Sequence, residues 1–447
     1  MRTRRVFDMC PTAFALTLAA LCAAPTLAKP GTPQPHTKGG TSMKTATPMY
    51  KGELIFTPEH RHNHGSCVVE MPGGGLFTCW YRGSGERTAD DVAIMGSRLT
   101  KGSHIWEKEM VISDTPGFPD TNPCIWVDPL KRLWLMHSTI LNNQWESAIT
   151  RVKISSSFSK PGTAVKWDKS DLMLLKPGPE FSEALVRDIP GVWEPVLQKA
   201  EPARAAKVRI LMAGVLAKAK DKLAMRLGWM TRAHPTLIQL KGGGQRLLVP
   251  LYSDFYDISL VGYTDDLGET WQVSAPIISQ SGVQPSILQR KDGTLLAFMR
   301  DNGPPPQRVQ LSESSDEGKT WSIAHDIELP DPGAGVEAII LKSGRWLMLN
   351  NDTEDGRHSL AISVSEDEGR TWLYKKWVEH DTDPKTFGSY SYPSIIQAKD
   401  GSIHMSYSIS MRKSSASEPS SGESIKHVEI NEAWILDPNG RQPIQAK

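Results

Sequence analysis

Three eight-residue stretches decide the fold: TDDLGETW at 264–271, SSDEGKTW at 314–321 and SEDEGRTW at 365–372. They share the pattern S/T-x-D-x-G-x-T-W, and their final tryptophans lie 50 and 51 residues apart. The Ser/Thr and Asp side chains of such a pattern bind backbone N–H groups within a turn, and the glycine takes a positive φ without a Cβ clash. A tight turn that recurs at one spacing predicts an internally repeated fold.

A second element recurs out of phase with these turns, and it consists of a strand, a glycine-rich turn and an apolar strand. Its six copies are residues 73–81, 129–138, 244–252, 292–300, 344–350 and 400–407. Together the two patterns give antiparallel units of about four strands and about 50 residues, which is the period of a β-propeller blade. The count predicts an all-β, six-bladed propeller over residues 49–437, with seven blades as the alternative.

Residues 193–226 break this pattern. They are rich in Ala, Leu, Lys and Glu, and apolar residues such as Val196, Ala200 and Ala203 recur at helical spacing. We therefore predict a helical insertion between blades two and three. The sequence is compatible with a position over a pocket and with a position on the outer edge.

The ends of the chain differ in composition from the repeats. Residues 1–28 contain three arginines near the start, an apolar run and then small residues, which is typical of a cleaved export signal. An uncleaved anchor is the alternative. Residues 29–48 are rich in Gly, Pro, Thr and Lys and predict a disordered tether, and residues 438–447 predict a short tail. The signal predicts a secreted or periplasmic protein.

The overall composition excludes several classes of partner. With 51 basic and 50 acidic residues, the net charge of +1 predicts no nucleic-acid partner. No later apolar run is long enough to predict a membrane span in the mature chain. No Cys or His spacing suggests a metal, so no metal and no cofactor are expected. Cys67 and Cys79 flank one hairpin turn; two free thiols are favoured, and a disulfide is the alternative.

The three turn motifs resemble the Asp-boxes, or bacterial neuraminidase repeats, of the sialidase superfamily, and the resemblance runs from about residue 50 to residue 436. It implies that the Asp-boxes are structural and lie away from the active site. It also implies an exo-acting glycoside hydrolase of the exo-α-sialidase type that removes a terminal, anionic sugar from glycans. In that family three arginines bind the sugar carboxylate, an aspartate is the acid/base, and a glutamate activates a tyrosine nucleophile.

Four residues match the arginines and the tyrosine of that set. Arg300, at the end of the apolar strand 292–300, resembles the second carboxylate-binding arginine, and Arg357 resembles the third. Guanidinium groups suit this role because they bind a carboxylate bidentately. Tyr390 resembles the nucleophile, with Tyr392 as a close competitor. Solvated arginines and a core tyrosine are the alternative interpretations.

The acid/base aspartate of the family lies in a loop of the first blade. The corresponding loop here offers Asp91 and Asp90, with Glu86 as the third candidate. A paired or shielded carboxyl group has a raised pKa and serves as a general acid. A merely hydrated loop is the alternative.

Two positions depart from the family pattern. His64 stands where the first arginine is expected, and Arg61 is three residues out of register. Gln284 stands where the activating glutamate is expected, and a glutamine cannot accept a phenolic proton as a base. His64 is therefore a candidate acid/base or sugar ligand. The alternative is a polar side chain at the propeller mouth without a functional role.

The segment that opens blade three adds two candidates. Trp229 is either a platform on which a sugar ring stacks or a buried core residue, and Arg232 is a further anion ligand. Trp145 and Glu146, after the strand of blade two, are weaker candidates for the same mouth.

Two other functions remain open on the same fold. A polysaccharide lyase acting on uronate-containing glycans would use His64 and Tyr390 for proton abstraction beside a neutralised carboxylate. A glycan-binding propeller without catalysis would explain the missing glutamate.

Overall fold

The computed structural model describes residues 46–385, 387–411 and 422–444. The predicted export signal at 1–28, and the predicted tether up to residue 45, lie outside the described residues. In chain order the first half contains β1 (Tyr50–Leu54), β2 (His62–Glu70), β3 (Gly75–Gly83), β4 (Ala93–Thr100), β5 (Met110–Ser113), β6 (Asp120–Val127), β7 (Leu133–Ile140), β8 (Ala148–Ser155), β9 (Lys169–Leu172), α1 (Pro179–Lys199) and α2 (Pro202–Lys218).

The second half is almost entirely β-strand. It contains β10 (Met230–Thr231), β11 (Thr236–Gln239), β12 (Gln245–Ser253), β13 (Ile258–Thr264), β14 (Gln272–Val273), β15 (Gly282–Gln289), β16 (Leu295–Asp301), β17 (Arg308–Ser314), β18 (His325–Pro330), β19 (Glu337–Ile340), β20 (Trp346–Asn351), β21 (Ser359–Ser365), β22 (Tyr374–His380), β23 (Ser389–Gln397), β24 (Ile403–Met411), β25 (Gly422–Ile430), α3 (Glu432–Leu436) and β26 (Arg441–Gln442). Among the described residues, no helix is long and apolar enough to cross a membrane.

The strands form six antiparallel sheets, the blades of a propeller, which confirms the predicted fold class with six blades. Blades one, two and four are β2–β5, β6–β9 and β15–β18; blade three is β10–β14; blade five is β19–β22 with β26; blade six is β23–β25 with β1. The first strands of successive blades pack against one another and surround the central axis. Their bends and loops therefore decide what is presented at the mouth of the propeller.

The ring is closed by a strand from the start of the propeller. β1 forms the outer edge of blade six, where Tyr50 pairs with Ile430 and Leu54 with Lys426. Pairing between such distant parts of the sequence ties the first and last blades together. A strand near the end of the sequence, β26, adds to the outer edge of blade five. It lies within residues 438–447, which the sequence predicts to be a tail.

In each Asp-box the aspartate organises the turn between the third and fourth strands of its blade. The Asp316 carboxylate accepts the backbone N–H groups of Lys319 and Thr320 at 3.1 and 2.9 Å and the Thr320 hydroxyl at 2.6 Å. Asp266 and Asp367 make the same set of bonds. Hydrogen bonds from side chains and backbone hold the pKa of Asp266 down to about 2. The Asp-boxes are therefore structural turns.

Gly268, in the first Asp-box, combines a positive φ with a close approach. Its φ is +87°, and a Cβ there would lie 2.6 Å from the buried ring of Trp134. We expect Gly268→Ala to lower the free energy of unfolding by about 2–5 kcal/mol, the sum of a left-handed conformation and overpacking. Gly244 has a φ of +91° with no heavy atom within 4 Å of a Cβ. Gly244→Ala is the matched control, with an expected loss of about 1–2 kcal/mol. Urea unfolding measures both, and equal losses would contradict the packing argument.

The helical insertion lies between blades two and three, as predicted, but its helices run from Pro179 to Lys218 and not over residues 193–226. The helix α1 starts earlier because its first half already carries a buried apolar stripe at helical spacing. Prolines inside α1 disfavour a helix, so helix propensity alone does not predict a helix over this stripe. The stripe consists of Phe181, Leu185 and Ile189.

The three cysteines of the propeller are buried free thiols. Cys67 and Cys79 are cross-strand partners in blade one, as their positions around the hairpin predict, but they are not bonded to each other. Cys67 instead lies 3.3 Å from the imidazole of His234, whose other nitrogen is 2.7 Å from Glu337. This group joins β2 of blade one, the segment between β10 and β11 of blade three, and β19 of blade five.

Candidate active site

Four of the innermost strands carry a β-bulge at corresponding positions, and each bulge contains a residue with a positive φ. A left-handed conformation costs a residue with a side chain about 1–3 kcal/mol, and such strain is concentrated at functional sites. Bulges also redirect side chains beside such sites. The four residues, with their φ angles, are Gly65 (65°), Asn122 (49°), Gln284 (56°) and Tyr392 (51°).

Tyr392 lies among three arginines that come from blades three, four and five. Arg300, at the end of β16, donates from Nη1 to the Tyr392 hydroxyl at 3.1 Å. The guanidinium carbons of Arg232 and Arg357 lie 5.0 and 5.5 Å from the centre of the Tyr392 ring. Because guanidinium groups bind carboxylates in a planar, bidentate manner, this cluster is suited to an anionic ligand.

The arginines differ in how firmly the protein holds them. Arg232 donates to two main-chain carbonyl groups, and Arg357 donates to one carbonyl and one hydroxyl group. The buried Nε atoms of Arg232 and Arg300 have no hydrogen-bond partner among the described residues. A buried donor without a partner is costly, so these atoms favour a ligand that accepts hydrogen bonds.

The arginines change the acidity of Tyr392. Burial by itself raises the pKa of a phenol, but the charges of Arg300 and Arg357 more than offset it, so the pKa of Tyr392 lies below its ordinary value. Gln284 also lowers this pKa, through a hydrogen bond from its side-chain amide. An amide donor stabilises a phenolate, whereas a glutamate at the same place would remove the proton as a base. The pKa of Tyr392 is therefore lowered by the surrounding positive charge and by an amide donor.

A histidine and glutamate pair flanks the cluster on blade one. His62 Nε2 lies 3.4 Å from Glu86, His62 Nδ1 lies 2.9 Å from Glu423, and the Tyr81 hydroxyl donates to Glu86. Burial opposes both charged forms, but these contacts raise the pKa of His62 to about 9 and lower that of Glu86 to about 2. Glu86 is therefore an ionised partner of His62 and not a proton donor at neutral pH.

His64 links this pair to Tyr392. Its ring meets the Tyr392 ring edge-on with centroids 4.5 Å apart. Burial, together with the nearby charge of His62, lowers the pKa of His64 well below its ordinary value, so the ring is neutral. Ligand atoms of His62, His64 and Glu86 lie within 4.8 Å of one another, a spacing that a metal ion can use. The sequence does not predict this group, because the fold alone brings Glu86 beside the histidines.

Blade three supplies carboxyl groups of the opposite character. Asp254 follows β12 directly, and burial raises its pKa although the charge of Arg300 partly offsets the effect. In the same loop, burial raises the pKa of Asp257 to about 6. Both side chains line a cavity of about 350 Å³ together with Glu146. Asp254 is thus a buried carboxyl group whose pKa lies above its ordinary value and on which the charge of Arg300 acts.

Asp254 is not among the residues predicted from the sequence, although the repeated strand pattern carries a signal for its position. Residues 244–252 and 292–300 are copies of the same apolar strand. Arg300 ends the second copy, so the loop after the first copy leaves the blade at the corresponding edge. The loop after Tyr252 therefore belongs to the same mouth as Arg300.

The structure brings together seven of the residues that the sequence predicts. They are His64, Glu86, Arg232, Gln284, Arg300, Arg357 and Tyr392. Tyr390 is not among them: its hydroxyl donates to Asp381 at 3.1 Å, and its ring packs against Tyr407 in the core. The structure therefore moves the candidate nucleophile from Tyr390 to Tyr392.

The predicted acid/base aspartates also lie elsewhere. Asp91 is exposed and accepts hydrogen bonds from the backbone and hydroxyl of Ser84, so it braces its own loop. Asp90 is exposed and binds the side chain of Asn143. Arg61 is exposed as well, and the arginine beside Tyr392 that joins Arg300 and Arg357 is Arg232 from blade three.

Trp229 is a core residue and not a sugar platform. Its side chain is 2% exposed, and its ring nitrogen donates to the Met225 carbonyl at 2.9 Å. Its ring packs against Phe181 and Tyr256, with centroids 5.7 and 6.0 Å away. Trp229 therefore anchors the helical insertion.

Known proteins with the same kind of repeat resemble this chain. Residues 218–405 match the family model described as a BNR repeat-like domain. A sialidase of Paraclostridium sordellii is 29% identical over 129 residues, a match that covers 25% of this chain and 31% of the relative. The chain thus spans less than a third of the length of that relative in this match.

Solved structures share the fold over most of the chain. An intramolecular trans-sialidase from Ruminococcus gnavus superposes with a TM-score of 0.59 at 13% identity, covering 86% of this chain and 97% of that one. A sialidase from Streptococcus pneumoniae gives a TM-score of 0.59 at 12% identity, covering 85% and 70%. A protein of unknown function from Dyadobacter fermentans gives 0.59 at 14% identity, covering 86% and 99%. At such identities the likeness shows the fold.

Proposed function

Because the chain belongs to the superfamily of BNR-repeat, sialidase-like β-propellers, we propose that it is an exo-acting glycoside hydrolase that removes a terminal, anionic sugar from glycans. The observation that carries this proposal is the cluster of Arg232, Arg300 and Arg357 around Tyr392. Buried guanidinium donors without partners match the carboxylate of such a sugar.

Tyr392 is the residue that we assign to the anomeric carbon. Its oxygen lies beside Arg300, so a carboxylate bound by the arginines places the anomeric centre of the same sugar next to the phenol. The lowered pKa of Tyr392 makes the phenolate available without a glutamate base. The phenolate attacks the anomeric carbon or stabilises its positive charge, and water then completes the hydrolysis.

Asp254 is our candidate for the proton donor. Cleavage of the glycosidic C–O bond needs a proton on the leaving oxygen, and a carboxyl group with a raised pKa supplies it near neutral pH. The pKa of Asp254 is raised, the charge of Arg300 acts on its carboxyl group, and its side chain lines the neighbouring cavity. Glu86 is excluded from this role by its pKa of about 2.

The Asp254→Asn variant tests the proton donor. We expect about a hundredfold or greater loss of kcat with an alcohol leaving group, and little loss with an aryl leaving group that departs without protonation. In the wild type, activity should fall as the pH rises through the raised pKa, because the acid works only when protonated; this alkaline limb should vanish in the variant. Asp257→Asn, in the same loop, is the control and should keep the limb. Equal effects on both leaving groups would reject Asp254.

A second candidate function has its own observation. With Gln284 in place of a glutamate and a lowered pKa on Tyr392, the phenolate is also suited to take the proton beside a uronate carboxylate. The glycosidic C–O bond then breaks as a C=C bond forms, with Asp254 protonating the leaving oxygen. This describes a polysaccharide lyase, and it uses Tyr392 where the sequence suggests Tyr390.

One screen separates these functions. The purified protein is incubated with an aryl sialoside, sialyllactose and a panel of uronate-containing polysaccharides. Release of the free anionic sugar supports the hydrolase. A product that absorbs ultraviolet light through a new C=C bond would replace it by the lyase, and binding without any turnover would leave a glycan-binding propeller.

We also propose that the protein acts outside the cytoplasm. The proposal is supported by the basic start, the apolar run and the small residues within positions 1–28. Mass spectrometry of the mature N-terminus in a secreting host tests it.

A further inference from the structure

The helical insertion forms one wall of a cavity beside the candidate active site. The cavity has a volume of about 350 Å³, which is within the range of small-molecule sites. It lies between α1, α2 and the loop that follows β12. No Asp-box residue and none of the three clustered arginines lines this cavity.

The insertion is fastened to the propeller, so this wall is a fixed part of the fold. The Tyr256 hydroxyl donates to the carbonyl of Lys218 at 3.1 Å, and the Gln280 side chain donates to the carbonyl of Val192 at 2.9 Å. The ring of Phe181 packs edge-on against both Trp229 and Tyr256. Both helices are therefore held over the same edge of blades three and four.

The helix α2 presents an apolar stripe to the cavity. Its members recur at i, i+3, i+4 and i+7, which places them on one face of the helix. Leu211 on this face remains 67% exposed, whereas Met212 and Val215 are half-buried and also pack against the hydrophobic core. The stripe consists of Val208, Leu211, Met212 and Val215.

The opposite wall lies next to the strand pair that carries Arg300, because Ser281 lines the cavity and directly precedes β15, where Val283 pairs with Arg300. Asp254 lines the cavity, and its carboxyl group is influenced by the charges of Arg300 and Arg87. Asp257 and Glu146 also line this wall. A ligand that extends from the arginines past Asp254 therefore enters a space with carboxyl groups on one side and apolar side chains on the other.

We propose that this cavity binds the aglycone of the substrate, and that it selects an apolar, aromatic aglycone over a sugar. The inference rests on the proposed function, since it places the glycosidic oxygen at Asp254, between the anionic sugar and the leaving group. Because Ser281 lines the cavity and Val283, two residues later on β15, pairs with Arg300, we assign the occupant to the same substrate. The α2 stripe supplies apolar contact, which a hydroxyl-rich second sugar would not use.

The test compares two substrates and one free ligand. The substrates are the methylumbelliferyl glycoside of N-acetylneuraminic acid and sialyllactose, and the free ligand is methylumbelliferone, followed by its fluorescence. Leu211→Asn and Val215→Asn should each weaken methylumbelliferone binding by about tenfold and reduce kcat/KM for the aryl substrate by a similar factor, with sialyllactose unchanged. Because Leu211 is exposed, its replacement should leave the fold intact.

The matched control is Leu223→Asn. Leu223 is 69% exposed, belongs to the same insertion and does not line the cavity, so its replacement should change none of these values. Hydrolysis of both substrates without methylumbelliferone binding, or with equal effects of all three variants, overturns the aglycone pocket and leaves the hydrolase standing. Methylumbelliferone binding that depends on Leu211, without hydrolysis of either substrate, instead overturns the hydrolase and the aglycone assignment together. A dimer of the wild type that Leu211→Asn dissociates would identify a second copy as the occupant.

Discussion

Tyr392→Phe is expected to lower kcat by at least about a thousandfold, which corresponds to about 4 kcal/mol of transition-state stabilisation. The change removes one oxygen atom and keeps the ring that His64, Arg232 and Arg357 contact. Substrate binding through the arginines should survive, so KM changes little. Steady-state kinetics on the substrate found by the screen gives the split between kcat and KM, and circular dichroism checks the fold.

Tyr390→Phe is the control for this experiment. The two tyrosines are two residues apart on β23, but the hydroxyl of Tyr390 binds Asp381 and not an arginine. Its loss should cost about 1 kcal/mol of stability, the usual value of one hydrogen bond, and leave kcat unchanged. If Tyr390→Phe were the inactive variant and Tyr392→Phe the active one, the assignment of Tyr392 would be wrong, and the reactive tyrosine would be Tyr390 beside Asp381.

The titration of Tyr392 provides a readout that a structural role would not produce. Because Arg300 and Arg357 outweigh burial, one tyrosine of the wild type should ionise below the ordinary range of a phenol. Ultraviolet difference spectra against pH should show this phenolate and lose it in Tyr392→Phe. If the phenolate is the active form, kcat should rise with pH through the same pKa.

The choice between the two tyrosines shows what a sequence pattern lacks. A regular strand places residues i and i+2 on the same face, so alternation alone cannot separate Tyr390 from Tyr392. The bulge between Ser391 and Ser394 breaks that alternation and turns only Tyr392 toward the arginines. A local signal does exist, because Asn122, Gln284 and Tyr392 each precede a proline and each have a positive φ.

The fold itself was predictable because it rests on local chemistry. Each Asp-box forms its turn with hydrogen bonds between residues only two to four positions apart, so three copies at one spacing suffice to predict the blades. The role of Trp229 was not predictable, because its burial depends on Phe181, far away in the sequence. The candidate acid was not predictable for the same reason, because Asp254 acquires its raised pKa from burial and from neighbours on other blades.

Two substitutions relative to the family pattern act together in the site. Gln284 removes a negative charge beside Tyr392, and His64, which is neutral, removes a positive one. Arg232 from blade three supplies a third guanidinium group near the same ring. The site therefore keeps a cluster of three arginines with a different distribution over the blades, and the base at the tyrosine is replaced by a hydrogen-bond donor.

Arg300→Ala should have the second large effect, a loss of about a thousandfold or more in kcat/KM. Arg300 is the only one of the three arginines that donates to the Tyr392 hydroxyl in the described structure, and its buried Nε has no partner. Its removal therefore takes away a donor for the substrate carboxylate and the largest of the charges that stabilise the Tyr392 phenolate. Truncating one partner of a buried charge pair typically costs about 2–5 kcal/mol.

Both consequences of Arg300→Ala can be measured separately. The KM should rise because the carboxylate loses a bidentate partner, and the phenolate titration should move to higher pH because the pKa of Tyr392 is no longer held down. Arg300→Lys should recover part of the titration shift, since it keeps the charge, but little of the KM, since it lacks the planar fork. Arg308→Ala is the control, because Arg308 lies on the adjacent strand and pairs with Glu354 at 2.5 Å. If KM stayed constant in a folded Arg300→Ala variant, the result would contradict binding of a carboxylate by the arginine cluster. It would therefore also contradict an anionic sugar as the substrate.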